Sequence, residues 1–308
     1  MAQVPAVPKF TRARHLLRAS FFQATDAATS MAPSEKAAIA LRSRRIPKRK
    51  AQQVTFLIPL VGAHHVSDWA AVVARLNDTL QSLIRQDDPN WRAVVCCQDM
   101  PDLPDDPRIT ALPFDDPTPG NDKWRKLRKL VEALPQVVSD VGYVMSFDAD
   151  DILRQGIVSE MLGRQAPGGY LVQSGLVMDA ATGDIALADQ RSIGAPMRKP
   201  FWKLCGSCAA LYIDPSEPAS VTFLAEMTQH EHRMFPYLAK LAGQPLTPLS
   251  QPAVLYILNH GENFGARRGR VGYKTRFVQR YKISDPTTLF KINEDFALSS
   301  QTDPAGPI

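Results

Sequence analysis

Apolar residues along this chain occur in two alternating patterns: short continuous runs, and runs spaced at three and four. Val54-Thr55-Phe56-Leu57-Ile58-Pro59-Leu60 is a continuous run rich in β-branched and aromatic residues, which predicts a buried strand that Pro59 brings to an end. From 68 to 85, Trp69, Val72, Val73, Leu76, Leu80, Leu83 and Ile84 line one side of a predicted amphipathic helix capped near Ser67. A second buried strand is predicted at 91–97, ending in Gln98 and Asp99 before a proline-rich loop over 100–107. A basic helix over 123–134 then leads into the apolar run Tyr143-Val144-Met145-Ser146-Phe147. Strand, helix, strand, helix, strand in that order predicts a parallel sheet with crossover helices.

The second half is less regular. Tyr170-Leu171-Val172-Gln173-Ser174-Gly175 and Cys208-Ala209-Ala210-Leu211-Tyr212-Ile213 read as strands, and the 179–184 segment with Gly183 reads as a hairpin turn. Gln229-His230-Glu231-His232-Arg233 is expected to open an amphipathic helix running toward Leu241. Tyr256-Ile257-Leu258 is a strand-like run that ends in Asn259, His260 and a turn.

Charge divides the chain. Residues 1–50 hold eleven Lys or Arg against Asp26 and Glu35, so a basic leader precedes a mildly acidic body. Phe10, Leu16, Leu17, Phe21 and Phe22 interleave with Arg12, Arg14 and Arg18, and a second basic knot contains Arg44, Arg45, Lys48, Arg49 and Lys50. Residues 1–50 are therefore expected to be a flexible or amphipathic arm, suited to solvent or to an anionic membrane surface. No nucleic-acid partner is expected, because these basic residues lie outside any recognisable binding motif. No run reaches the roughly 18 apolar residues of a membrane span, and the N-terminus has no continuous apolar core of a secretory signal. Cys96, Cys97, Cys205 and Cys208 do not resemble a disulfide framework in 308 residues. A cytoplasmic protein, at most peripheral to the inner face of a membrane, is the expectation.

The chemistry gathers at the predicted strand ends, where ligands of parallel sheets collect. Pro59 to Gly62 end the first strand, Gln98 and Asp99 the second, and Asp148-Ala149-Asp150-Asp151 the third. Three carboxylates in four residues repel one another unless they cap a turn or share a cation, and oxygen donors favour a hard divalent ion. The chain has neither the Gly-X-Gly-X-X-Gly nor the Gly-X-X-X-X-Gly-Lys-Ser/Thr phosphate loop, which leaves a metal as the natural partner for a diphosphate. Cys205-Gly206-Ser207-Cys208 is a Cys-X-X-Cys, but Cys96 and Cys97 would point to opposite faces of one strand, so a four-thiolate zinc site is not expected.

On these residues the chain resembles the nucleotide-sugar glycosyltransferases of the GT-A fold, in particular the family-2-like group. The resemblance rests on the proline-terminated first strand, the polar end of the second, the helix bearing Lys123 and Lys126, and Phe147-Asp148-Ala149-Asp150-Asp151 as an Asp-X-Asp element, and it covers roughly residues 52–265. It implies a GT-A-like (Rossmann-like) mixed, mainly parallel sheet flanked by helices: one domain over 51–280, with the basic arm before it and a tail over 281–308. It further implies a metal-dependent transfer of sugar from a nucleotide-diphosphate-sugar donor to a glycan or lipid-linked acceptor, as in polysaccharide biosynthesis. By the same resemblance Asp148, Asp150, Asp151 and His260 would hold Mn2+ or Mg2+. Pro59, Asp99, Lys123, Lys126, Asp148 and Arg267 would contact donor, and Glu231 would act as base in place of an acidic pair absent here. A sugar-1-phosphate nucleotidyltransferase or an inactive binding module of the same fold are the alternatives.

Overall fold

The computed structural model describes residues 4–21, 31–44, 47–116, 118, 120–261 and 271–298. Among them the elements run α1 (Lys9–Phe21), α2 (Pro33–Ser43), β1 (Gln53–Pro59), α3 (Trp69–Ile84), β2 (Trp91–Cys97), β3 (Ile109–Pro113) and α4 (Lys123–Glu132). They continue with α5 (Leu134–Val137), β4 (Gly142–Ser146), β5 (Asp151–Leu153), α6 (Ile157–Arg164), β6 (Gly169–Leu171), β7 (Gly175–Asp179), β8 (Asp184–Ala188) and β9 (Ala209–Ile213). The last are α7 (Pro218–Thr228), α8 (Phe235–Leu241), β10 (Thr247–Pro248), β11 (Val254–Leu258), α9 (Val271–Arg280) and α10 (Pro286–Phe296).

The result is a mixed α/β architecture whose central sheet is mostly parallel and flanked by helices. Its strand order is β10-β6-β9-β4-β1-β2-β3, with β1, β2, β3 and β4 mutually parallel and β9 antiparallel to both its neighbours. β1 is central because Val54 to Pro59 are all buried and can be covered only by structure on both faces. Register sets Leu57 beside Ser146 and Pro59 beside Cys96, so the carboxyl ends of β4, β1 and β2 lie side by side. After β4 the chain turns through residues 147–150 and enters β5, which belongs to a smaller sheet of order β5-β11-β7-β8. The acidic turn is thus the point where the chain passes from one sheet to the other.

Several elements depart from the expectations. α3 is capped by Asp68, whose side chain accepts from the Ala71 amide at 2.9 Å, one residue later than expected. β3 was hidden beside the proline-rich loop; it pairs along the outer edge of β2 and is only partly buried. The helix expected from Gln229 does not begin there. Pro236 in the first turn of α8 starts that helix at Phe235, while His230 pairs with Val4 in an isolated bridge.

The described part of residues 1–50 packs against the body. Ala37, Ala38 and Leu41 give α2 a small apolar face that is buried, and three polar fastenings reinforce it. Glu35 accepts from Tyr237 at 2.6 Å and faces His15 Nδ1 at 3.0 Å, all three buried. Ser34 Oγ meets His230 Nε2 at 2.6 Å. Arg49 donates to Asp214 at 2.9 Å, and Lys48 Nζ lies 4.2 Å from the centre of the Tyr212 ring. The tail likewise contributes: Ile292 and Phe296 of α10 join Ile152, Leu176, Ile185 and Leu255 in a second, smaller core. None of the described helices is long and apolar enough to cross a membrane.

Candidate active site

The loops after β1 and β2 are tied together at the carboxyl edge of the sheet. Asp99 accepts from the Ala63 amide at 2.9 Å and has His64 Nδ1 3.9 Å away, leaving the carboxylate about half exposed. Gln98 donates to Asp122 at 2.7 Å, at the start of α4. Pro59 is buried within β1, at the strand end rather than on the surface. Lys126 is fully buried: its ammonium donates to the Leu60 carbonyl at 2.6 Å and pairs with Asp122 at 2.9 Å. That engagement fastens α4 to the end of β1 and replaces the phosphate contact expected of Lys126.

Lys123, one turn earlier on α4, has the other fate. Its Nζ lies 2.5 Å from Asp148 Oδ1 in a partly buried ion pair. Burial alone would lower the Lys123 pKa, but the charge and hydrogen bond of Asp148 outweigh it, so the ammonium is held above its ordinary value. Asp148 is fixed further by its own amide, which donates to Ser207 Oγ at 2.8 Å. Gly206 lets the 205–208 turn pass close by, since a Cβ there would meet Asp148 Oδ2 at 3.4 Å.

The other two aspartates of the turn face different partners. Asp150 Oδ2 meets His260 Nε2 at 2.9 Å. His260 is delivered by the end of β11, where Asn259 takes a left-handed conformation (φ 63°) with its side chain bonded to Asp179, and where Arg75 of α3 donates to the His260 carbonyl at 2.8 Å. Asp151 opens β5 and is fully buried, with the Cys205 thiol 3.0 Å from its Oδ2 and no hydrogen-bond partner for Oδ1. Burial, then the charges of Asp150 and Asp148, push its pKa well above the carboxylate range. One ligand atom each from Asp148, Asp151 and Cys205 lies within 4.8 Å of the others.

A further shell adjoins this turn. Lys274 of α9 donates to the Tyr256 hydroxyl at 2.7 Å. Burial, reinforced by Cys205 and the three aspartates, raises the Tyr256 pKa well above its usual value; burial lowers that of Lys274 against the pull of the same acidic groups. Burial, then the charges of Lys274, Arg233 and Lys123, brings His232 down to about 4, so it is neutral near pH 7. Glu231 stands beside it as the N-cap residue of a short 3-10 turn over His232–Met234. His230 is committed to Ser34 and the N-terminal segment.

The structure therefore brings Lys123, Asp148, Asp150, Asp151 and His260 together at the end of β4, with Asp99 on the adjoining strand end. Arg267 lies outside the described residues. Sequence reasoning missed Ser207 and the Tyr256 hydroxyl, and it set Cys205 aside as half of a zinc motif; Lys274 was legible only as one of a run of basic residues, with Arg267, Arg268 and Arg270, that could close over a diphosphate. Among the described residues the ligand atoms that gather are those of Asp148, Asp151 and Cys205, with the Asp150–His260 pair adjoining them; two carboxylates, one with a buried oxygen lacking a hydrogen-bond partner, and a thiol are donor types a divalent cation accepts.

No family model matches the sequence, and no curated protein matches it. The solved structures similar to this chain include the mannosyltransferase PcManGT from Pyrobaculum calidifontis in complex with GDP-Man and Mn2+, at 15% identity and a TM-score of 0.36, covering 77% of this chain and 72% of that one.

Proposed function

We propose that this chain is a metal-dependent glycosyltransferase of the GT-A type, taking sugar from a nucleotide-diphosphate donor to a glycan or lipid-linked acceptor. The observation that carries the reading is the convergence of Asp148, Asp150 and Asp151 with Lys123 and His260 where β4 ends beside β1 and β2. Asp148 and Asp150 would hold the cation, Mn2+ or Mg2+, with His260 or Asp151 completing the set. A bound divalent ion neutralises charge that develops on a leaving diphosphate.

The chain's own groups supply the rest. Asp99 is half exposed on the neighbouring strand end, suitably typed to accept from a ribose or base. Lys123, held protonated by Asp148, offers a fixed positive charge for phosphate oxygens. In the transfer, an acceptor hydroxyl oxygen bonds to the anomeric carbon, the bond from that carbon to the diphosphate oxygen breaks, and the hydroxyl proton passes to a base. Glu231 is our candidate for that base, because it is a carboxylate on the segment that places His232 against the site cations. Hydrolysis of UDP-, GDP- and CMP-sugars with and without Mn2+ tests the proposal: turnover of at least one donor only with the metal is expected, and no binding or turnover of any donor would refute it.

A further inference from the structure

Near the acidic turn lies a group of basic side chains. Lys9 at the start of α1, Arg191 and Lys199 on the 189–200 loop, Lys203 just beyond it, and Arg233 are close enough to act on one another's charges. Partial burial, then Arg233, Arg191 and Lys203, lower the Lys199 pKa; partial burial, then Arg191, Lys9 and Arg233, lower that of Lys203. No acidic group offsets either lysine, although Asp189 and Glu231 lie on the same segments, and among the described residues none of the five cations is in an ion pair. Uncompensated like charge is costly in an isolated molecule and favours an anionic partner.

Apolar side chains on the same segments say what kind of anion. Ile193 is 103% exposed, Met197 57% and Phe10 84%, each within a few residues of one of the basic groups. Soluble phosphate gives such side chains nothing to gain, whereas the boundary between lipid headgroups and acyl chains takes up both kinds at once. The Lys199 ammonium lies 4.0 Å from the centre of the Tyr273 ring and that of Lys203 4.9 Å from the Trp202 ring, which sets aromatic bodies beside the cations.

We propose that this surface rests on an anionic lipid bilayer, with Ile193, Met197 and Phe10 entering the headgroup region and Lys9, Arg191, Lys199, Lys203 and Arg233 facing lipid phosphates. It differs from the membrane contact expected of the N-terminal arm alone, because the 189–200 loop, Lys203 and Arg233 supply most of it. Arg233 of the surface directly follows His232, which feels the charges of Lys123 and Lys274 at the acidic turn, so a donor bound there would lie near the lipid. The inference stands on this surface and not on the glycosyltransferase reading; if both hold, the acceptor is lipid-linked.

Vesicle flotation of the full chain tests it with phosphatidylcholine alone and with phosphatidylcholine–phosphatidylglycerol. Binding to the mixed vesicles only, released by salt, is expected, with Lys199→Gln plus Lys203→Gln weakening it roughly thirtyfold. Ile193→Ser plus Met197→Ser should weaken it several-fold, and unchanged circular dichroism and melting would show that both double variants fold. Equal binding to both vesicle types, binding to neither, or wild-type binding by the lysine variant would overturn the proposal. So would pyrophosphate binding at the patch without vesicle binding, which would make it a site for soluble anions. Mn2+-dependent donor binding, measured on the same samples, reports separately on the cleft.

Discussion

Asp148, Asp150 and Asp151 are nearly adjacent in sequence yet meet a lysine, a histidine and a thiol. The cluster itself was legible, because three acids closing an apolar run need compensation wherever they lie. Of their partners, Lys123 and His260 were placed at this site only through the family resemblance, and Cys205 was not placed there at all: they lie 25, 110 and 54 residues away, and no spacing rule spans such distances. Lys123 and Lys126 make the same point, since one turn of helix separates a cation at the cleft from one spent inside the protein. Lys123→Gln should therefore lower affinity for a nucleoside diphosphate by roughly 10- to 100-fold, the size of a lost charge-assisted hydrogen bond, with little change in melting temperature. Isothermal titration would measure it, and unchanged affinity would place Lys123 outside the phosphate site. All four cysteines are buried, burial pushes the Cys96 thiol up to about 12, and it raises Cys97, Cys205 and Cys208 as well. A thiol reagent should accordingly titrate none in the native protein and four in denaturant; rapid labelling of native Cys205 would contradict the closed setting of Asp151.

Elements with strong periodicity or continuous burial were the readable ones. β2 matches the expected bounds, and β1 and α3 differ only at their ends. β3 was missed because an edge strand of mixed burial has no clear alternation, and α8 was misplaced because Pro236, not the histidines, sets its start. What seats the N-terminal helices was not legible for a different reason. Composition counted their basic residues, whereas the small apolar face of α2 and the buried Glu35 decide where they sit. Burial alone would raise the Glu35 pKa, but hydrogen bonds from Tyr237, His15 and the Ala32 amide outweigh it, so the value is lowered. A depressed carboxyl contributes stability above its unfolded value, about 4.3, that is lost as pH falls through the folded value. Glu35→Gln should cost about 1–3 kcal/mol at pH 7. Melting curves should show the gap between variant and parent closing below about pH 4; a gap independent of pH would mean that Glu35 acts through packing alone.

Across the whole molecule, the sheet order makes the site. Parallel strands β1, β2 and β4 bring Asp99 and the acidic turn to one edge, and the passage of the chain from β4 into the smaller sheet sets that turn against β11 and His260. The parallel core was legible from alternating strand and helix patterns, and so was the β7–β8 hairpin around 179–184; the rest of the smaller sheet was not, because β5 and β11 pair across about a hundred residues. The central claim is that this turn holds a divalent cation together with a nucleotide diphosphate. Titrating UDP-, GDP- and CMP-sugars into the parent chain and into Asp150→Ala, with and without Mn2+, tests it most directly. The account predicts that one donor binds the parent only with Mn2+ and that Asp150→Ala, folded and equally stable, loses this binding; a variant that still binds donor in a Mn2+-dependent way, or a parent that binds equally without the metal, would contradict it.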